Sequence, residues 1–348
     1  MRKGGEEVSK TSGAVGKASA ALALLALCAV LCAGCRTERT EAPERRAQGR
    51  AERTVTIFLA AGLHQTFDEL ARELERREPG LKINIEASGS LEAARKLTDY
   101  QRTGDIVVLA DKRLMEAMLI PQYAAWAIEF CTNELVLAYS ENSRYAAEIN
   151  EENWTDVLLR EDVRICRADE HLAPIGYRTL MAWQLADKLY ADKLGGRSIY
   201  QTLIRRVGKE LIRPDVEEVI PLIGTEADYA IIYRSTAHEH NLPYVNLPPE
   251  INLGEPAQAE FYAQAKVLVR QQGGELNELR GSPIVFTLTI PKEAKNPADA
   301  AEFVALLLSE EGRRALSDHG FSPIVPARCA QRAALPEKLQ PLLEEGER

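Results

Sequence analysis

The chain has 348 residues, of which 45% are hydrophobic, 27% charged and only 6% aromatic. This is globular composition, long enough for one large domain or two ordinary ones, and it excludes collagen-like and low-complexity chains. Lys and Arg number 43 against 52 Asp and Glu, a formal net charge of −9; the basic footprint of a nucleic-acid binder is absent, and any anion must be attracted by a local site.

Arg2, Lys3, Lys10 and Lys17 form a basic start, diluted by Glu6 and Glu7, and an uncharged Ala- and Leu-rich run follows over 18–34. The run is short for a bilayer span, which needs about 20 apolar residues, but has the position of a signal-peptide core. It ends Leu31-Cys32-Ala33-Gly34-Cys35. Small residues just before a Cys resemble the bacterial lipobox, so 1–34 is read as a lipoprotein signal peptide and Cys35 as the lipidated N-terminus. A soluble secretory signal with incidental cysteines is the alternative. The expected location is the cell envelope, with acyl chains holding the protein on the outer side of the cytoplasmic membrane or in the periplasm. Residues 36–52 are almost all charged or small and are expected to be a solvated, flexible tether. Beyond Cys35 only Cys131, Cys166 and Cys329 remain. No zinc spacing is present; a Cys131–Cys166 disulfide and buried free thiols are both open.

The folded part begins near Arg53. Residues 54–59 read as a buried strand, 60–63 as the turn after it, and 66–77 as a helix with Phe67, Leu70, Ala71 and Leu74 on one face. Pro79-Gly80 ends that helix. A second strand over 82–87 runs into Ser88-Gly89-Ser90, a helix spans 91–100, and a third strand spans 105–109. This β-α-β-α-β order predicts a parallel sheet with right-handed crossovers. Ligands of such sheets collect at the carboxyl ends of strands, which places Ala61, Gly62 and Ser88-Gly89-Ser90 at one rim. Further strands are expected over 134–139, 163–166, 229–233 and 284–290, and helices over 178–194, 256–272 and 298–308. No repeat of solenoid length occurs. The alternating α/β pattern suits two lobes better than one core.

Several side chains have two readings. Ser88-Gly89-Ser90 is either a helix N-cap or a ligand cradle. Asp169-Glu170-His171 mixes metal-ligand types but reads first as a solvated loop, and His238-Glu239-His240 as an exposed turn. Arg178 and Arg234 either grip an anion bidentately or pair with acidic neighbours that lock the structure, the latter being favoured. Trp126, Trp154 and Trp183 read as core. The chain carries no nucleophile elbow, phosphate loop or zincin motif, so no enzyme, cofactor or resident metal is expected.

Phe58-Leu-Ala-Ala-Gly-Leu63, Glu86-Ala-Ser-Gly-Ser90, Ile120-Pro-Gln-Tyr-Ala124, Asn133-Glu-Leu-Val-Leu-Ala-Tyr139, Pro174-Ile-Gly-Tyr-Arg178, Tyr233-Arg-Ser235, Leu247-Pro-Pro-Glu-Ile-Asn-Leu253 and Pro283-Ile-Val-Phe-Thr-Leu-Thr-Ile-Pro291 stand in order along the chain. With the segment 297–303, this set resembles the tungstate/molybdate-binding lipoproteins of ABC importers over about residues 54–326. The resemblance implies a two-lobed type II periplasmic-binding-protein fold, each lobe a mainly parallel sheet flanked by helices. Lobe 1 is expected over 53–131 and 284–328 and lobe 2 over 132–283, with crossings near Thr132 and Pro283 and a tail over 329–348. It implies a monomer that captures a small oxyanion between the lobes and hands it to ABC permease subunits.

The ligand residues depart from the family pattern. A family Ser falls on Gly62, a second Ser is kept as Ser90, and the two carboxylates that coordinate the metal of the oxyanion fall on Ala173 and Ile232. Tyr233 and Arg234 are kept. The resemblance therefore puts ligand contacts at Ala61, Gly62, Gly89, Ser90, Ala173, Ile175, Ile232 and Tyr233, without direct ligands for tungsten or molybdenum. Two other readings stand beside this one: a relative that lost transport and acts as a sensor or interaction module, and a divalent-cation receptor using Asp169, Glu170 and His171.

Overall fold

The computed structural model describes residues 53–270 and 275–343. The signal peptide, Cys35 and the tether lie outside the described residues. The first sheet contains β1 (Arg53–Ala60), β2 (Leu81–Ser88), β3 (Ile106–Leu109), β4 (Ile128–Thr132), β12 (Val285–Thr289) and β13 (Ser322–Arg328), in the order β13-β4-β12-β3-β1-β2. The second contains β5 (Leu135–Ala138), β8 (Ala230–Tyr233) and β9 (Tyr244–Asn246), in the order β8-β5-β9. The short strands β6 (Arg167–Ala168) and β7 (Ile212–Arg213) pair beside it, and β10 (Lys266–Arg270) pairs with β11 (Leu276–Arg280).

The β-α-β-α-β opening forms as expected, because each strand is apolar and each helix shows one apolar stripe. β1 pairs in parallel with β2 and β3. Helix α1 (His64–Arg77) buries Phe67, Leu70, Ala71 and Leu74, and Phe67 stacks 5.3 Å from Phe303 and 6.4 Å from Phe130. Helix α2 (Ser90–Thr98) buries Ala93, Ala94 and Leu97. Trp126, Trp154 and Trp183 are core residues.

Three expectations are corrected. First, the sheets are not mainly parallel. β12 is antiparallel to β3 and β4, β13 is antiparallel to β4, and β5 is antiparallel to both β8 and β9. The cause is the path of the chain: β4 leads out of the first sheet and β12 leads back in, so the two neighbours run in opposite senses. Second, the helix expected over 256–272 stops at Tyr262, and Lys266–Arg270 is a strand. Val267 and Val269 favour extended backbone there. Third, the strand expected over 163–166 is reduced to an Ile165–Tyr229 bridge ahead of β6.

The segments joining the two sheets run side by side. The Asn133 amide donates to the Ile284 carbonyl at 3.1 Å, the Ile284 amide to Leu253 at 2.8 Å, and the Leu135 amide to Asn252 at 2.7 Å. After Arg328, Leu335, Leu339 and Leu343 are buried, and Ala327 bridges Leu343. Cys131 and Cys166 are buried free thiols and Cys329 is a half-buried one.

Candidate functional site

The first rim is built by the ends of β1, β2 and β3. After β1 a single 3-10 turn, Ala61–Leu63, feeds α1, and no side chain caps that helix. After β2, Gly89 precedes α2 in extended backbone, again with no side-chain cap. Ala61, Gly62 and Gly89 are exposed, and a Cβ on either glycine would meet nothing within 4 Å. The His64 amide at the start of α1 is bonded to the Ala61 carbonyl, so at the first rim it is the turn Ala61–Leu63 and the uncapped start of α2 that lie at the open strand ends, where a helix dipole favours negative charge. Ser90 is not a cap. Its Oγ accepts from the Ala110 amide at 2.9 Å, which leaves its O–H proton free to donate outward.

Asp111 follows β3 at the same rim and was missed in the sequence, although the strand-end rule that selects Gly62 and Ser90 applies to it equally. Its carboxylate accepts from the backbone N–H of Arg113 (2.9 Å) and from Arg113 Nε (3.1 Å) and Nη2 (2.9 Å). Burial acts to raise the Asp111 carboxyl, but the Arg113 bonds and the nearby Arg178 charge outweigh it and hold it below the ordinary range.

The second rim is built by β8 and the helix Pro174–Leu189. Proline at the first turn suits a helix start, and Ala173 ahead of it offers no side-chain cap. Gly176 is required here: a Cβ would lie 2.3 Å from the Asp169 carbonyl oxygen, so only glycine lets the helix start press on that loop. Thr179 Oγ1 bonds the Ile175 carbonyl at 2.8 Å and lies 3.5 Å from that of Ile231. Ala173, Ile175 and Ile232 are 5%, 2% and 0% exposed and belong to the hydrophobic core. Ala173 and Ile232 thus pack as wall and core residues, and Ile232 presents no surface to a ligand in this conformation. Tyr233, at the end of β8, accepts from Arg178 Nη1 at 2.5 Å. Burial raises the Tyr233 phenol despite the opposing Arg178 charge. Burial likewise opposes the Arg178 charge, but Tyr233, Tyr177 and Asp111 raise its pKa above the arginine value.

Arg234 and Arg178 part company. Arg234 is ion-paired with Glu134, as favoured from the sequence. Arg178 has no carboxylate within ion-pair distance among the described residues. The cation-site reading finds no geometry. The Asp169 carboxylate accepts from the His171 amide at 2.7 Å, Glu170 pairs with Arg167 at 2.6 Å, and His171 Nδ1 accepts from the Arg270 amide at 3.1 Å. Among the described residues no group of three or more His, Cys, Asp or Glu side chains could hold a metal ion. His238 and Glu239 are exposed, with His238 Nε2 3.2 Å from Tyr244 Oη and His240 3.3 Å from Glu217.

A cavity of about 100 Å³ lies beside Gly62, away from Ser90 and the Pro174–Leu189 helix; Thr66, Ser235, His238, Glu239 and His319 also line it. Gln65 Nε2 donates to Glu239 across it at 2.8 Å. Neither Gln65 nor Thr66 was picked out from the sequence.

Two α/β sheets linked by paired crossing segments, with strand ends and helix starts facing each other, define a periplasmic binding protein. The chain belongs to the bacterial extracellular solute-binding proteins, whose family profile matches residues 55–322; these are binding proteins rather than enzymes. It is 37% identical over 294 residues to a solute-binding protein of Petrotoga mobilis, covering 84% of this chain and 90% of that one. It is 33% identical over 324 residues to a molybdate/tungstate-binding protein of Pyrococcus abyssi, covering 85% and 91%. In structure it is similar to a substrate-binding domain of a molybdenum ABC transporter from Clostridium difficile, with a TM-score of 0.55 at 17% identity over 78% of this chain and 99% of that one. Among the described residues no helix is long and apolar enough to cross a membrane.

Proposed function

We propose that this protein captures a small oxyanion between its two lobes and delivers it to the permease of an ABC importer, tethered to the membrane through an acylated Cys35. The observation that carries the reading is the pair of backbone N–H sets at the first rim, in the Ala61–Leu63 turn and at the uncapped start of α2 after Gly89. Such N–H groups hold oxyanions without further charge. The Ser90 hydroxyl, held by the Ala110 amide, supplies a further donor. The kinship with molybdate/tungstate-binding proteins supports the ligand class. Ala173 and Ile232 argue against metal–carboxylate coordination, because neither has an oxygen to offer. The expected mode is hydrogen bonding to a tetrahedral anion.

A thermal-shift panel of tungstate, molybdate, sulfate and phosphate tests the reading. At least one anion should raise the melting temperature, and Ser90→Ala should reduce that shift. No shift with any of the four would contradict it. For the anchor, Cys35→Ser should release the protein from membranes or block its maturation; unchanged fractionation and maturation would remove the lipid anchor from the proposal.

A further inference from the structure

The short helix Arg234–Glu239 follows β8 of the second sheet but is seated on the half of the molecule built around the first. Three contacts along its length make the seat. At its start, Arg234 donates from Nε to the Gly320 carbonyl at 2.9 Å and from Nη2 to Ser322 Oγ at 2.7 Å. Further along, His238 packs on Gly320, where a Cβ would come within 2.9 Å of His238 Cδ2. At its end, Glu239 Oε1 accepts at 2.8 Å from Nε2 of Gln65, in the first turn of α1.

These contacts differ in kind. Ser322 pairs with Thr132, the residue before the crossing at Asn133, so the Arg234 end sits at the pivot between the halves. Glu239 lies five residues further on, about 7.5 Å along a helix rising 1.5 Å per residue. There the halves do not pack tightly: the cavity of about 100 Å³ lies between them, lined by Gly62, Gln65, Ser235, Glu239, Asp318 and His319. It has room for about three waters, so the halves can part at this point without uncovering a packed apolar surface. Elsewhere the two rims face each other. Ala173, Ile175 and Arg178 are buried, and Asp111 and Arg113 of the first rim act electrostatically on Arg178.

We propose that the Gln65–Glu239 hydrogen bond is a clasp between the two halves: turning them apart about the crossing segments breaks it while the Arg234 end holds. The clasp biases the protein toward its closed form. A hydrogen bond to a carboxylate shifts such an equilibrium by about tenfold or more. A ligand gripped by the closed form gains from a bias already present, so the clasp raises affinity without touching the ligand. The inference goes beyond the oxyanion reading, since it holds for any solute taken between the halves.

Small-angle X-ray scattering of the mature protein and its variants, with no anion added, tests the clasp. Gln65→Glu sets two carboxylates against each other and should raise the radius of gyration. Combining Gln65→Glu with Glu239→Gln restores a donor and an acceptor with their roles exchanged, and should return the radius to the parent's value. That rescue separates a clasp from a local disturbance of α1. A Gln65→Glu protein with the parent's radius, or a double variant as expanded as the single one, overturns the inference. If circular dichroism shows that Gln65→Glu does not fold, Gln65→Ala decides, because it removes the donor without adding charge; a radius equal to the parent's again overturns the clasp. No anion enters the measurement, so failure of the clasp is distinct from failure of the oxyanion reading, which the thermal-shift panel decides.

Discussion

Arg234 and Glu134 form an ion pair between the end of β8 and the start of β5, adjacent strands of the second sheet. The same guanidinium donates to the Gly320 carbonyl at 2.9 Å and to Ser322 Oγ at 2.7 Å. The second oxygen of Glu134 accepts from Asn252 Nδ2 at 2.9 Å, so four separated chain segments meet in one network. Gly320 permits the approach: its φ is +79°, and a Cβ would lie 2.9 Å from Ser235 Cα.

Removing Arg234 should therefore loosen the crossing region. Both side chains are about one-fifth exposed, so screening is partial. Arg234→Ala should cost about 1.5–3 kcal/mol, the range for hydrogen bonds to charged groups. Urea unfolding should show a lower midpoint with an unchanged slope. A midpoint equal to the parent's would mean that the network contributes nothing.

The thiols should react in a fixed order. Full burial raises the Cys131 thiol well above its ordinary value, and burial pushes Cys166 up to about 12. Cys329 is only half-buried and less strongly raised. Since the thiolate is the nucleophile, alkylation of the native protein at pH 8 should label Cys329 and spare the other two until denaturant is added. Peptide mass mapping reads this directly. Rapid native labelling of Cys166 would contradict its placement.

Restoring acids at the two altered positions should trade stability for selectivity. Ile232 is 0% exposed, so Ile232→Glu places a carboxyl in the core, where desolvation and the second acid of Ala173→Asp raise its pKa. The double variant without ligand should be less stable than the parent by about 3 kcal/mol or more. A raised folded pKa means the folded state holds protons that the unfolded chain has released, so stability falls with rising pH. The deficit should thus be smaller near pH 4 than at pH 8, and a pH series of thermal melts would show it. An equal deficit at both ends would mean that the new acids are solvated. With ligand, the variant should prefer tungstate over sulfate more strongly than the parent does.

The parts of the fold that depend on local pattern were legible in the sequence. The strands and helices of residues 53–109 follow from apolar runs, one-sided helices and Pro79-Gly80. The antiparallel half of the first sheet was not, since β12 reaches β3 and β4 from far along the chain and no local signal states its direction. Residues 266–270 were misread as helix because short apolar runs fit both periods, and only pairing with β11 decides. At the site, strand ends located Gly62 and Ser90 but stopped short of Asp111. The fates of Arg178 and Arg234 could not be separated, because the Arg234 partner stands 100 residues away and the missing Arg178 carboxylate is a fact of packing. The absent helix caps were equally hidden: Ser88-Gly89-Ser90 has capping composition, and only the fold sends the Ser90 oxygen to Ala110.

The central claim is that hydrogen bonds and dipoles, without metal–carboxylate bonds, hold the anion. Calorimetric titration of the parent protein with tungstate and with sulfate, in one buffer, tests it most directly. The account predicts that both anions bind, with affinities within about tenfold of each other, because both present four oxygens and two negative charges to the same donors. Nanomolar tungstate binding with sulfate ignored would contradict it, and would require a carboxylate in the coordination shell that neither Ala173 nor Ile232 can supply.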